Sequence, residues 1–496
     1  APWSPVLSSA SCRPAKLPDS TRSRPLPVND LSMKPQLSVL TLCLLLGACG
    51  SSAQRPDSGI TPPAAWQSPH TAGASHDNQQ WWNRFGSPQL GRLIEQARVG
   101  SYDLAAAIAR VRQARAGTVI AGGSQLPELQ GTGNANRQKL LRGSGYRQLD
   151  ADSTNKAVDY FDVGLSASYE IDFWGGKRAS RDSAQFSLQA SEFDRATVEL
   201  TLLSGVANSY AQLLSLQEQS RIAELNLANA QNVLQLVQTR YNAGSATALE
   251  LAQQKSLVAA QQRQLPAVQQ QAGEAQISLA ALLGRPVQDV PLSQESFDQL
   301  QWPPISAGLP SELLTRRPDI ARAEAQLAAA QADVTVARAA MLPKLTLTAS
   351  LGTGANQADD LWRSPFYNLT AGLVAPIFNN GRLGAERDKA TARQEELLQT
   401  YRGAIINGFA DVEKALNSIR GLDDQRQWQS EELSQAQTAF NIAQSRYQAG
   451  AEDLLTVLET QRTLYAAQDQ NVQLRLSRMQ ASIALYKALG GGWQTM

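Results

Sequence analysis

Cysteine and histidine are nearly absent from this chain. Its 496 residues include three cysteines, Cys12, Cys43 and Cys49, all in the first tenth, and two histidines, His70 and His76. From Asp77 to Met496 there is neither. The body therefore has no disulfide, no thiolate or imidazole metal ligand, no Cys or His nucleophile and no Ser-His-Asp triad. An excess of one charge is also lacking. The 45 Lys+Arg and 44 Asp+Glu leave a net charge of +1, which argues against a nucleic-acid partner. No Walker motif or Gly-rich phosphate loop is present, so nothing in the chain marks a nucleotide-hydrolysis site. Paired acids exist at Asp359-Asp360 and Asp423-Asp424, one pair in a polar loop and the other in a helical run. They read as solvated faces rather than as a carboxylate hydrolase. With 43% apolar and 18% charged residues, the chain is not disordered.

What is present begins with a processed front end. Residues 1–32 are rich in Pro, Ser and Arg without apolar periodicity, and are expected to be a non-native or mis-annotated extension. Residues 33–48 read as a lipoprotein signal peptide. Lys34 is a minimal positive region, Leu37–Leu46 is the apolar run, and Leu46-Gly47-Ala48-Cys49 forms a lipobox. The apolar run is too short to span a bilayer, which takes about 20 residues. The expectation is cleavage before Cys49 and lipidation of Cys49; the alternative is an ordinary signal with Cys49 merely nearby. Gly50 and Ser51 follow rather than Asp, which by resemblance to the bacterial sorting rule implies the outer membrane.

The rest is a tandem repeat. Arg240-Tyr241-Asn242-Ala243-Gly244 recurs as Arg446-Tyr447-Gln448-Ala449-Gly450, 206 residues on. The same offset pairs Leu283-Gly284 with Leu489-Gly490 and Ile171 with Ile377. Upstream, Leu126-Pro127-Glu128-Leu129 matches Leu342-Pro343-Lys344-Leu345 at an offset of 216, so the first repeat carries ten extra residues. The expected organisation is 49–101 anchor and linker, 102–284 first repeat, 285–315 inter-repeat linker, 316–490 second repeat and 491–496 tail. Each repeat changes periodicity in the same order. An Ala-rich helix (103–122, 319–341) starts at Asp103 or Asp319, placed as N-caps, and is ended by the Leu-Pro. Two alternating segments follow. Phe161, Val163, Leu165, Ala167, Tyr169 and Ile171 share one face, while Asp162, Gly164, Ser166, Ser168 and Glu170 share the other. Leu345–Gly352 and Tyr367–Leu373 alternate likewise, and Gln130, Thr132, Asn134 and Asn136 line one face of the weakest strand. Period-two alternation of small polar and apolar residues suits a transmembrane β-barrel, although a soluble sandwich strand alternates identically. Long helical runs come next (178–240 and 384–446), roughly 90 Å each at about 1.5 Å per residue. A Tyr-x-Ala-Gly break then leads to a second helix (247–283 and 451–489), a pattern that reads as antiparallel coiled coil. Four strands cannot close a barrel, and lipid does not tolerate an open edge, so at least two chains must share one.

Several motifs carry a family resemblance. They are the lipobox, Trp81-Trp82-x-x-Phe85, Phe173-Trp174-Gly175-Gly176-Lys177-Arg178, the stretch Leu309-Pro310-Ser311-x-Leu313-Leu314-x-Arg316-Arg317-Pro318-Asp319-Ile320, and both Arg-Tyr-x-x-Gly turns. Together they resemble the outer membrane factor (TolC-like) family, in its lipoprotein branch similar to OprM and NodT. The likeness spans essentially all of 49–490; residues 1–32 have no counterpart, and the signal is short. It implies a mixed, mainly α fold. Long antiparallel coiled-coil helices form a trimeric α-barrel, and four β-strands per chain contribute to a shared 12-stranded transmembrane β-barrel. It implies a non-enzymatic exit duct in the outer membrane of a Gram-negative bacterium, lipid-anchored and extending into the periplasm. The expected partners are two further copies in a homotrimer, outer membrane lipid, a periplasmic adaptor (membrane fusion) protein and an inner membrane pump of RND or MacB-like ABC type. The overall look is of the branch serving MacB-like, pyoverdine-type siderophore export; no single residue carries that choice, so drug and siderophore substrates both stay open. A structural coiled-coil scaffold without transport is the rival reading, and it leaves the amphipathic hairpins unexplained.

Two sets of candidate site residues follow. The duplicated tip residues Arg240, Tyr241, Gly244, Arg446, Tyr447 and Gly450 either receive the adaptor or only shape the turn. Just beyond the second tip, Leu455 and Glu459 lie four apart on one helix face. The resemblance places them as a hydrophobic and an acidic ring at a closed gate, with Leu249 and Gln253 in the first repeat. In a trimer, three Glu459 carboxylates would draw a cation. No cofactor is expected beyond the lipid on Cys49 and that cation.

Overall fold

The computed structural model describes residues 57–68, 80–139, 158–290, 295–302 and 307–493. The expected lipobox with Cys49, and both histidines, lie outside the described residues. Helices α1 (Pro88–Gly100) and α2 (Tyr102–Gly123) precede strands β1 (Glu128–Gln138) and β2 (Val158–Ile171). Helices α3 (Gly176–Asn242) and α4 (Ala248–Leu282) complete the first repeat. The second runs α5 (Pro318–Ala339), β3 (Lys344–Ala355), β4 (Pro365–Val374), α6 (Arg382–Gln448) and α7 (Leu454–Ala488). Matched helices have identical lengths: 22 residues for α2 and α5, 67 for α3 and α6, 35 for α4 and α7. At about 1.5 Å per residue the long ones reach roughly 100 Å.

The helix starts correct one expectation. Asp103 and Asp319 are not N-caps. Ser101 caps α2, its hydroxyl accepting from the Leu104 N–H, and Arg317 stands at the N-cap of α5 without a side-chain cap. Both aspartates sit in the first helical turn, where a carboxylate meets the positive end of the helix dipole. The Leu-Pro does not itself close the helices: α2 and α5 stop at Gly123 and Ala339, with Pro127 and Pro343 following in the chain. The residue before a proline is held extended, so the chain must leave the helix before it.

The four strands form one antiparallel sheet in the order β1-β2-β3-β4. Its register joins the alternations into continuous rungs. Leu129, Ala167, Ala349 and Leu369 face one side, as do Ile171, Leu345 and Leu373. Gln130, Ser166, Ser350 and Asn368 face the other, as do Glu128, Ser168, Thr348 and Thr370. Among the described residues, β1 and β4 are both unpaired along their outer edges.

The core lies among the helices. Trp81, Trp82 and Phe85, ahead of α1, bury fully against Tyr486 of α7, with Trp81 and Tyr486 stacked at 5.2 Å. A second cluster joins Ile320 of α5, Ile405 and Val412 of α6, and Leu485 of α7. A third, near the long-helix tips, holds Val237, Phe440, Tyr447 and Val457. Among the described residues, helix α5 packs between α3 and α6, whereas its counterpart α2 packs mainly on α3 and leaves Tyr102, Val119 and Ile120 exposed.

Candidate functional site

Three regions carry function-bearing side chains: the sheet, the helix tips and the belt where the repeats join. In the sheet, one face is apolar and the opposite face offers amides, hydroxyls and carboxylates. Asn134 donates to the Asp162 carboxylate across the β1–β2 pair at 2.9 Å. At the foot of the sheet, Asp172 accepts from the N–H groups of Lys177 and Arg178 (3.0 and 2.8 Å), capping α3 where Gly175 at its N-cap has no side chain to do so. Phe173, Trp174, Ile377 and Phe378 are exposed at the same strand-to-helix level, as expected of residues meeting a membrane–water boundary.

Both tips are built the same way. Gly244 N–H bonds to the Tyr241 carbonyl and Ser245 N–H to the Arg240 carbonyl; Gly450 and Ala451 repeat this on Tyr447 and Arg446. This is the double bond of a Schellman turn, and it demands the left-handed backbone found at Gly244 (φ +76°) and Gly450 (φ +77°). Thr247 opens α4 with a capping box to Glu250, and Asp453 opens α7 by accepting from Thr456. The Thr456 backbone and hydroxyl hold the Asp453 carboxyl below its ordinary range.

The tip residues separate into different environments. Tyr241 is 41% exposed and Arg446 is exposed, while Tyr447 is 2% exposed. Arg240 lies across the Tyr447 ring at 4.5 Å and donates from Nη1 to the Tyr447 carbonyl at 2.9 Å. Tyr447 therefore shapes the tip from beneath and presents almost no surface of its own. Burial pushes its phenol up, against the opposing pull of Arg240. Leu455 and Glu459 are exposed in the first turns of α7, opposite its buried face of Leu454, Val457, Leu458 and Gln461. Leu249 is likewise exposed and Gln253 half-buried on α4.

The belt contains what the sequence motif left without a reason. Arg317 is buried. Its Nε and Nη2 donate to the two Asp319 oxygens at 3.0 and 2.6 Å, and its Nη1 to Asp411 of α6 at 3.0 Å and the Ala488 carbonyl of α7 at 3.3 Å. One guanidinium thus ties three helices together. Burial alone would push the Asp319 carboxyl up, but the Arg317 hydrogen bonds and charge outweigh it and hold the carboxyl below its usual value. Glu295, in the inter-repeat segment, accepts from the Tyr210 hydroxyl at 2.8 Å and the Gln89 N–H at 3.1 Å, fixing that segment to α1 and α3. Among the described residues, no cluster of His, Cys, Asp or Glu is arranged to hold a metal ion.

The tandem architecture recurs in known proteins. A family model described as outer membrane efflux protein matches residues 93–285 and again 309–491, once per repeat. The pyoverdine export outer membrane protein OpmQ of Pseudomonas aeruginosa is 65% identical over 94% of this chain and 98% of its own length. Among solved structures, the outer-membrane channel OprN superposes with a TM-score of 0.81 at 27% identity, covering 90% of this chain and 100% of that one. The CusC structure gives 0.78 at 30%, covering 88% and 99%. Channels of this family are trimers with an α-barrel and a β-barrel and work with an adaptor and an inner membrane pump. The polar and apolar sheet faces, the two open strand edges and the paired 67-residue helices are the parts such a channel needs from each subunit. The chain belongs to the outer membrane efflux protein family and is an outer membrane channel of a tripartite efflux system, extending into the periplasm.

Proposed function

We propose that this channel is the exit duct for a pyoverdine-type siderophore, fed by a MacB-like ABC pump or an RND pump through a periplasmic adaptor. The observation supporting the substrate is the 65% identity to the P. aeruginosa pyoverdine export protein over 98% of that protein. The duct is passive and catalyses nothing. Its test is a deletion strain in which the siderophore is quantified by mass spectrometry in medium and periplasm. The expected result is periplasmic accumulation, reversed by the plasmid-borne gene. Unchanged secretion overturns the substrate, and heightened sensitivity to metal cations or solvents in the same strain would redirect it.

The same reading gives roles to individual residues. Cys49 carries the lipid that tethers the mature N-terminus, which mass spectrometry of that terminus checks. Arg240, Tyr241, Gly244, Arg446 and Gly450 form the surface that receives the adaptor, with Tyr447 supporting it from below. Leu455 and Glu459 line the axis, three of each, as a dry constriction and an acidic ring that concentrates a cation. Glu459→Gln is expected to abolish block by divalent cations in single-channel recordings. Unchanged basal conductance together with unchanged block would sink the acidic ring.

A further inference from the structure

Where α7 ends and α5 begins, a cavity of about 620 Å³ opens between α3, α6 and α7. That volume falls within the roughly 300–1,000 Å³ of small-molecule sites. Leu200, Leu422 and Ala481 give it an apolar lining, and Thr197, Ser418 and Ser477 add hydroxyls. Three cations also line it, Arg317, Lys414 and Lys487, against two carboxylates, Asp319 and Asp411. Arg317 is already committed to both aspartates and to the Ala488 carbonyl. Lys414 and Lys487 are exposed, and among the described residues neither makes an ion pair. The cavity thus combines an apolar surface with two ammonium groups that no carboxylate neutralises.

The first repeat is built otherwise at the matching place. At the offset of 206, Lys414 and Lys487 answer to Asn208 and Ala281, and Ala488 and Asp411 to Leu282 and Gly205. Leu282 leans over Gly205, its Cδ1 3.7 Å from where a Cβ would stand. The second repeat has a methyl group where the first has the Leu282 side chain, and it brings both lysines to the space this leaves. Helix α7 fixes which way the cavity faces. Its Tyr486 and Leu485 bury toward the belt, in clusters that hold Trp81 and Trp66. Ser477, Gln480, Ala484 and Lys487 recur at helical spacing on the half-buried to exposed flank that lines the cavity. Belt segments inside the duct would block its bore, so they lie outside and the cavity opens to the lumen. We propose that this cavity is a lumenal binding site, one per subunit, for small organic anions with an apolar body. Lys414 and Lys487 take the anionic group, the hydroxyls hydrogen-bond it, and the apolar lining takes the body. A station within a duct must also let go. Two solvent-exposed ammonium groups hold an anion weakly enough for that.

The inference rests on the channel and not on its siderophore substrate, and ligand-free conductance of each trimer checks the channel separately. The probe is naphthalene-1-sulfonate, with naphthalene-1-sulfonamide as the same body without the charge. Calorimetric titration of the full-length trimer in nanodiscs should show the sulfonate binding and the sulfonamide binding several-fold more weakly. Lys414→Gln and Lys487→Gln should each weaken the sulfonate about two- to fivefold, the worth of a partly exposed ion pair. Neither should change the sulfonamide. Ala484→Leu, which narrows the cavity and leaves both lysines in place, should weaken both probes. Native mass spectrometry confirms that each variant is still a trimer. In planar bilayers the sulfonate should reduce single-channel current, and the Lys414→Gln, Lys487→Gln double variant should relieve that block. Equal binding of the two probes, or sulfonate binding unchanged in the double variant, overturns the site. Binding that depends on the lysines without any block of current overturns its place in the lumen.

Discussion

At Gly490 the backbone has φ +90°, and a Cβ would lie 2.1 Å from the Arg316 carbonyl oxygen; at Gly284, with φ +69°, a Cβ would lie 2.2 Å from the Gly100 carbonyl oxygen. Each glycine lets the end of a repeat's last helix touch the chain entering that repeat's first helix, α2 or α5. Gly490→Ala and Gly284→Ala are each expected to cost at least about 1–3 kcal/mol through the strained φ alone, with the clash added. A lower thermal midpoint of the detergent-solubilised trimer is the measurement. Asp319 gives a pH dependence. Its carboxyl is held below the ordinary value of 3.8, so the stability it contributes is present above that value and is lost as pH falls through the lowered one. Asp319→Asn should therefore be less stable at neutral pH, by about 2 kcal/mol for hydrogen bonds to a charged group. The difference from the unsubstituted protein should vanish in strong acid; a gap that persists there removes Asp319 from the account. The sequence pattern marked Asp319 but assigned it the wrong task. An aspartate ahead of an Ala-rich helix looks like a cap, and only the fold brings Arg317, Asp411 and Ala488 to one place. Tyr447 was equally opaque: it and Tyr241 occupy the same place in the duplicated Arg-Tyr-x-Ala-Gly turn, and tertiary packing buries one and exposes the other.

Among the elements, the strands and long helices were the most legible, because period-two alternation and the fixed 206-residue offset are properties of residue order. The register turns that alternation into a test of which face meets lipid. Leu369 shares the apolar rung with Ala349 and Ala167, and its neighbour Asn368 shares the polar rung with Ser350 and Ser166. Leu369→Arg should cost about 2–4 kcal/mol of barrel stability if it lies near the bilayer midplane, visible as loss of the heat-modifiable band on cold denaturing gels. Asn368→Arg should leave the barrel folded and shift the channel toward anion selectivity in reversal-potential measurements. The opposite pattern would mean that the faces are exchanged. Less legible were the contacts that join elements far apart in the chain. The Glu295 link to Tyr210 and the Arg240 clasp on Tyr447 depend on single side chains that no periodicity announces.

On the scale of the whole molecule, one chain is an incomplete object. Among the described residues its sheet has two unpaired outer edges, and α2 packs mainly on one long helix where α5 packs on two. Stability measured for it is inseparable from assembly. The two repeats also meet their partners at a common level, since α3 and α6 each run for 67 residues and α4 and α7 for 35. That equality constrains how such a gene can change. A single heptad lost from α3 alone would raise one tip by about 10 Å. Every second tooth of the rim would then stand short of the surface it docks on. The same loss must occur in α4 for the hairpin to close, and again in α6 and α7 for the rim to stay level. Insertions and deletions in the periplasmic helices are thus tolerated only as matched fourfold events. The reach of the duct across the periplasm becomes close to a fixed quantity over descent, while the strand-connecting segments, free of any such bookkeeping, can differ by ten residues between the two halves of one chain.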